Sequence, residues 1–168
     1  MPSIGRVPRE PIAEGPRALA EGIEIRPARL EETDELLPLI RAYCDFYGSS
    51  PRDRGLLEMA RTLISDPAQG AVLIARDGER AVGFATLDWK WSMLKGARIG
   101  FLEDLYVLEE LRGKGIADAL IDACAERCRE LGMPAMQWLT QPHNRRAQSV
   151  YDRTGADREA LIEYDLEL

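Results

Sequence analysis

Arg112-Gly113-Lys114-Gly115-Ile116-Ala117 is the stretch whose residue types and spacing speak most directly of chemistry. It joins an apolar run, Phe101 to Val107, to a segment of helical spacing that begins near Gly115. The first N–H groups of a helix lack internal partners, and the helix dipole places partial positive charge there. Glycines let such N–H groups approach an anion with no Cβ in between. Arg112 and Lys114 add two full positive charges. Strand, glycine-rich turn and helix start together describe an anion site of the kind that takes a pyrophosphate. Taken alone, the loop reads equally well as a solvated polar helix start, because short glycine motifs recur by chance. Two other phosphate motifs are excluded. A lysine–threonine P-loop needs Ser or Thr where Ile116 stands. A dinucleotide fingerprint wants three spaced glycines in a β-α-β unit, whereas this element follows an antiparallel hairpin.

The elements around the loop must hold it in place. Residues 1–21 carry Pro2, Pro8, Pro11 and Pro16 with Gly5 and Gly15 between them, which predicts an extended, mobile arm rather than a helix. Residues 22–168 read as one domain. Ile23 to Arg26 alternates as a short strand, ended by Pro27. Thr33 or Asp34 caps a helix whose apolar residues are Leu36, Leu37, Leu39, Ile40 and Tyr43. A second helix starts at Ser50-Pro51 and carries Leu56, Leu57, Ala60, Leu63 and Ile64. The period then changes. Ala71 to Ala75 and Ala81 to Lys90 are strands joined by the Asp77-Gly78 hairpin turn. Arg98 to Val107 is the next strand, and a helix runs from about Gly115 to Leu131. Met136 to Thr140 is a strand, Asn144 caps a short helix with Ala147, Val150 and Tyr151, and Ala160 to Leu168 is a last strand. The order predicts an α+β fold with a mixed, mostly antiparallel central sheet flanked by four helices.

Bulk composition narrows the function. The chain has 168 residues, suited to one domain, and 45% of them are hydrophobic, enough for a packed core. Lys and Arg total 22 against 29 Asp and Glu, a formal charge of −7. That balance argues against nucleic-acid binding, which draws on basic surfaces. No apolar run is long enough for a membrane helix, and no secretory leader is apparent. Cys44, Cys124 and Cys128 show no disulfide-framework spacing and are expected as reduced thiols in a cytoplasmic protein. Cys124 and Cys128 lie four apart without a second ligand pair, so small core residues are expected and no metal site. His143, the only histidine, reads as a loop residue.

Leu102-Glu103-Asp104-Leu105-Tyr106-Val107 followed by Arg112, Gly115 and Ala117 resembles the GNAT superfamily of N-acetyltransferases, whose central motif is Arg or Gln, two residues, Gly, one residue, then Gly or Ala. Asn144, Ala147, Tyr151 and Gly155-Ala156 are similar to the second family element at the right distance. The resemblance covers everything but the arm. It implies a sheet whose strands 4 and 5 splay apart, with acetyl-CoA as cosubstrate. The amides of its pantetheine arm would lie along Leu105, Tyr106 and Val107. Its pyrophosphate would take N–H groups from Arg112, Gly113, Lys114, Gly115, Ile116 and Ala117. Asn144 is similar to the family asparagine that hydrogen-bonds the pantetheine, a role it can combine with helix capping.

Tyr151 is similar to the family tyrosine near the cofactor sulfur. A phenol of pKa about 10 can give its proton to a departing thiolate, whose conjugate acid lies near about 8.5. An alkyl amine of pKa about 10.4 is mostly charged at neutral pH, so a base is useful. Glu103 is the expected base, placed as the acid is in polyamine-type members. Successive strand residues face opposite ways, so Glu103 and Asp104 share a face only if a bulge intervenes.

The acceptor is expected beside the first two helices, where Tyr43, Asp45, Phe46, Tyr47, Trp89 and Trp91 supply aromatic faces and one carboxylate suited to an amine, with Asp104 as a further contact. Aromatics at the end of an amphipathic helix are also ordinary core residues. The function so predicted is acetyl transfer from acetyl-CoA to a primary amine of a small molecule, directly within a ternary complex, without a metal. The alternatives are a CoA-binding sensor or interaction domain with weak turnover, and acetylation of a protein amine. The expected partners are the small-molecule amine and, in a homodimer, a second copy of the chain.

Overall fold

The computed structural model describes residues 15–168. Its elements follow the sequence periods closely. Strand β1 is Ile23–Pro27, helix α1 Thr33–Phe46, helix α2 Asp53–Ser65, β2 Gly70–Asp77, β3 Arg80–Ser92 and β4 Ala97–Val107. Helix α3 is Ile116–Glu130, β5 Met136–Trp138 and α4 Arg145–Arg153. Short 3-10 turns, Leu30–Glu32 and Glu109–Leu111, lead into α1 and follow β4.

The five strands form one sheet in the order β1-β2-β3-β4-β5. The first three pairings are antiparallel, and β4 with β5 is parallel. Alternation along the strands sorts side chains onto two faces. Val72, Ile74 and Phe84 meet Leu36, Leu39 and Ile40 of α1 and Leu56 and Ala60 of α2. Leu73, Ala75, Ala85, Leu87 and Leu102 meet Leu120, Ile121, Cys124 and Cys128 of α3 on the other face. The three cysteines are unpaired thiols. A buried ion network ties the start of α1 to the sheet. Glu32 accepts from both terminal nitrogens of Arg26 at 2.8 and 2.6 Å, from Arg76 at 2.9 Å and from the Arg29 N–H at 2.8 Å.

Two expectations change. Neither Thr33 nor Asp34 caps α1. The 3-10 turn runs straight into the helix, and the Thr33 hydroxyl donates back to the Leu30 carbonyl at 2.5 Å. Ala160 to Leu168 forms no strand, and Leu161, Ile162, Tyr164 and Leu166 are exposed. Alternation supplies a face, but a strand also needs a ladder to join, and β5 offers only three residues.

The feature that opens the site is the β4–β5 pair. It extends only over Gly100 to Leu102 against Met136 to Trp138. Beyond Leu102, strand β4 pairs with β3 alone, so the two strands splay as the family resemblance implies.

Candidate active site

The splay leaves one edge of β4 open toward α4, and a cleft forms there. Leu105, Tyr106 and Val107 line one side of it, the loop from Arg112 to Ala117 closes one end, and Asn144, Ala147 and Tyr151 of α4 stand opposite. An exposed strand edge presents backbone groups that an extended, amide-bearing ligand can pair with. One of them is already used: the Val107 carbonyl accepts from Arg112 Nε at 2.9 Å.

The loop is shaped by its glycines. Gly113 and Gly115 have φ of 84° and 76°, in the left-handed region where a Cβ is disfavoured. Gly115 is also the residue before the first turn of α3, whose N–H groups have no carbonyl partners within the helix, and Ile116 and Ala117 of that turn line the cleft. The cations are arranged differently from the expectation. Arg112 lines the cleft but folds back over Tyr106, 5.6 Å from its ring centroid. Lys114 is exposed and is not among the lining residues. Arg17, Arg146 and Arg153 line the cleft instead, together with Asp118.

Asn144 caps α4: its side-chain oxygen accepts from the Ala147 N–H at 3.1 Å. Tyr151 lies one helical turn on from Ala147. Its ring stands edge-on to Trp138 of β5, with centroids 5.7 Å apart. Burial, with a smaller contribution from Tyr47, pushes the Tyr151 phenol up to about 12. It therefore keeps its proton at neutral pH and can serve as a donor.

Glu103 sits at an irregularity in β4. Thr86 is opposite Asp104, but the next residue, Leu87, is opposite Leu102. Glu103 is thus the extra residue of a bulge. Leu102 and Leu105 both pack toward α3, and the bulge turns the intervening pair, Glu103 and Asp104, toward the face of α1. The condition for the two carboxylates to share a face is met. Asp104 is fixed by Thr86, whose hydroxyl donates to its carboxylate at 2.6 Å while the Asp104 N–H donates to that hydroxyl oxygen at 3.1 Å. Glu103 is exposed, yet partial desolvation, then Asp88 and Asp104, raise its carboxyl above the usual range despite the opposing charge of Lys90. Desolvation and then Asp104 raise Asp88 as well.

Tyr43 and Tyr47 of the α1 end line the cleft, with Phe46 beside them. Their rings form a chain, Tyr43 to Tyr47 at 5.0 Å and Phe46 to Tyr47 at 5.0 Å. Burial, and then the Asp104 carboxylate with a hydrogen bond to it, raises the Tyr43 phenol above its ordinary range. Two other expected contacts fall elsewhere. Trp89 is buried on the α3 face, its indole N–H donating to the Pro67 carbonyl at 2.9 Å, because the strand period sends it away from Asp88. Asp45 is exposed at the end of α1 and does not line the cleft.

Asp88, Arg17, Asp118, Arg146 and Arg153 escaped the sequence reading. Asp118 did leave a trace: it is a carboxylate between Ile116 and Leu120 on a helix bound for the core. Its partner is Arg153, which donates through Nε at 2.9 Å and Nη2 at 2.8 Å and so ties α4 to the start of α3.

Comparison with known proteins agrees with this geometry. The acetyltransferase (GNAT) family model matches residues 35–156. An uncharacterized N-acetyltransferase of Bacillus subtilis is 26% identical over 137 residues, covering 82% of this chain and 91% of that protein. One from Archaeoglobus fulgidus is 30% identical over 135 residues, 77% of this chain and 89% of that protein. Among solved structures, an aminoglycoside N-acetyltransferase in complex with CoA superposes with a TM-score of 0.77 at 22% identity, covering 90% of this chain and 97% of the other.

Proposed function

The chain belongs to the acetyltransferase (GNAT) family, and from that premise we propose that it moves an acetyl group from acetyl-CoA to a primary amine of a small molecule, directly, with both substrates bound. The observation that carries this reading is the open β4 edge at Leu105 to Val107, set between the glycine loop and Tyr151. The residues present fit the cofactor. The strand edge suits the pantetheine amides, and the turn at Gly113 and Gly115 with the N–H groups of α3 suits the phosphates. Asn144, already engaged as a cap through its oxygen, retains its amide N–H for the same arm.

Bound there, acetyl-CoA supplies an acyl group already activated as a thioester. The protein's own residues then move two protons. Glu103 takes one from the ammonium or its bound water, leaving a nucleophilic amine. Tyr151 Oη gives one to the departing sulfur, and the proton that the newly acylated nitrogen sheds restores the phenol. The raised proton affinity of Glu103 suits it to accepting a proton, while the raised phenol of Tyr151 keeps its proton until the sulfur departs. Asp88 and Asp104 favour a cationic acceptor on the same face, and Tyr43, Phe46 and Tyr47 offer it aromatic surface. The aminoglycoside acetylated by the structural neighbour is an amine of this general class. Cytoplasmic location belongs to the same reading, since three free thiols suit a reducing compartment.

The test is a thiol-release assay with acetyl-CoA over a panel of amines, from monoamines and amino acids to polyamines and aminoglycosides. Turnover is expected for polycationic small amines. Tight CoA binding without turnover on any amine would support a sensor instead, and acetylation confined to protein amines would reassign the acceptor.

A further inference from the structure

Asp118 follows directly on the glycine loop, in the first turn of α3, and Arg153 is the last residue of α4. Their side chains, 5% and 9% exposed, form a bidentate pair in which Arg153 donates through Nε at 2.9 Å and Nη2 at 2.8 Å. The third nitrogen, Nη1, donates back to the Ser149 carbonyl at 2.9 Å. One guanidinium thus grips both the Asp118 carboxylate and the backbone of the helical turn that carries Tyr151. Asp118 Oδ1 also accepts from the Arg17 N–H at 3.3 Å. Desolvation would raise the Asp118 carboxyl, but Arg153 and that N–H hold it below the usual range, so the pair is charged at neutral pH.

Stability explains such a pair poorly. Taking two charges out of water offsets most of their attraction, and apolar side chains of similar volume often serve as well. What two parallel charge-assisted bonds do fix is distance and direction. Direction matters for α4. None of its nine residues is buried as a whole, and no strand follows it among the described residues. Tyr151 holds one side of the helix through Trp138. Arg153, two residues on, leaves the helix on a different side, so the two anchors together oppose rolling of α4 about its axis. A roll would carry the phenol away from the sulfur, and a misplacement of about 1 Å can cost about a hundredfold in rate.

We propose that Asp118 and Arg153 are positioning residues for Tyr151, fixing α4 so that the phenol stays over the departing sulfur. This rests on the acetyl-transfer reading given above and on the acid role of Tyr151 within it. The pair joins the loop that takes the phosphates to the group that protonates the thiolate.

The experiment is steady-state kinetics, with calorimetric titration of CoA, on full-length wild type, Asp118→Asn, Arg153→Lys and Arg153→Gln, each alone and combined with Tyr151→Phe. The acceptor is whichever amine of the panel turns over fastest. Asp118→Asn should lower kcat about tenfold, as a displacement short of about 1 Å would, without weakening CoA binding. Combined with Tyr151→Phe it should lower kcat no further, because the proton it positions is already gone. Arg153→Lys, which keeps one charge-assisted bond, should lose less than Arg153→Gln, and its own cycle with Tyr151→Phe can be read even if Asp118→Asn unfolds. The apolar double variant Asp118→Leu/Arg153→Met should melt near wild type yet stay as slow as Asp118→Asn. Equal losses with and without the Tyr151 hydroxyl would mean that the pair acts apart from Tyr151 and overturn the proposal. So would wild-type kcat in Asp118→Asn, weakened CoA binding with kcat spared, or recovery of kcat in the apolar variant. If wild type releases no thiol from acetyl-CoA with any amine, the acetyl-transfer reading falls and this one with it. If wild type is active and the losses are independent, only this one falls.

Discussion

Tyr151 meets Trp138 edge-on, their ring centroids 5.7 Å apart with planes at 65°. The two residues belong to α4 and β5, the two elements after α3, and their contact sets the phenol on the wall facing the open β4 edge. The indole holds the ring without using its hydroxyl. Tyr151→Phe should therefore keep the ring packing and remove only the hydroxyl and the proton it carries. We expect kcat to fall roughly a hundredfold, the low end for a lost general acid, with little change in acetyl-CoA affinity by calorimetry. Unchanged kcat with weakened affinity would assign Tyr151 to packing.

As the proposed base, Glu103 must be ionised to accept a proton, and its carboxyl is raised from 4.5 by desolvation, Asp88 and Asp104. Activity should thus be lost as pH falls through that raised value. The acid limb of kcat/KM is expected above the ordinary carboxylate range, and Glu103→Gln should abolish the limb along with most of the rate at neutral pH. An acid limb that survives in Glu103→Gln belongs to another group, with Asp88 the next to test.

Gly115 has a φ of 76° and a Cβ there would meet the Ala18 carbonyl. Gly115→Val should cost at least about 1–2 kcal/mol from the left-handed backbone alone and weaken CoA binding. A thermal melt with and without CoA separates the two effects. A variant with wild-type CoA affinity would remove this turn from the site.

Trp89 is a core residue in the structure, not an acceptor contact. Trp89→Ala should lower stability by about 3–5 kcal/mol. Its effect on the KM of the amine should be slight in whatever protein remains folded. Chemical denaturation alongside steady-state kinetics reads both.

Glu32 is held at about 2, from an ordinary 4.5, chiefly by its hydrogen bonds with Arg26, which outweigh burial, and by the Arg29 N–H. A depressed carboxylate contributes stability that is complete above 4.5 and is lost as pH falls toward 2. Glu32→Gln should cost about 3 kcal/mol at neutral pH, because it leaves Arg26 and Arg76 without their shared anion. It should also flatten the acid side of the stability profile, measured by urea unfolding from pH 7 down to pH 3.

Periodicity made the fold legible. The change from helical to alternating spacing near Ala71 marked the hairpin strands, and the spacing of Leu36, Leu39 and Ile40 marked the buried face of α1. Those patterns record local geometry, which repeats every 3.6 residues in a helix and every two in a strand. The glycine loop and Tyr151 were legible for a similar reason, since a motif is a short stretch of chain with a fixed local shape.

What the sequence determined by itself, then, was the set of elements from β1 to α4, though not the absence of a strand after Ala160, together with the family motif and the loop from Arg112 to Ala117. Three features waited for the tertiary structure. The bulge at Glu103 depends on how β4 registers against β3, so whether Glu103 and Asp104 share a face could be posed from sequence but not answered. The fate of Trp89 turned on that same sheet, whose pleat sends it toward α3 while Asp88 goes to the opposite face. The placement of Arg17 beside Gly113 joins residues nearly a hundred positions apart. Local sequence carries no record of such a contact, because chain separation and spatial distance become unrelated once the chain folds back on itself.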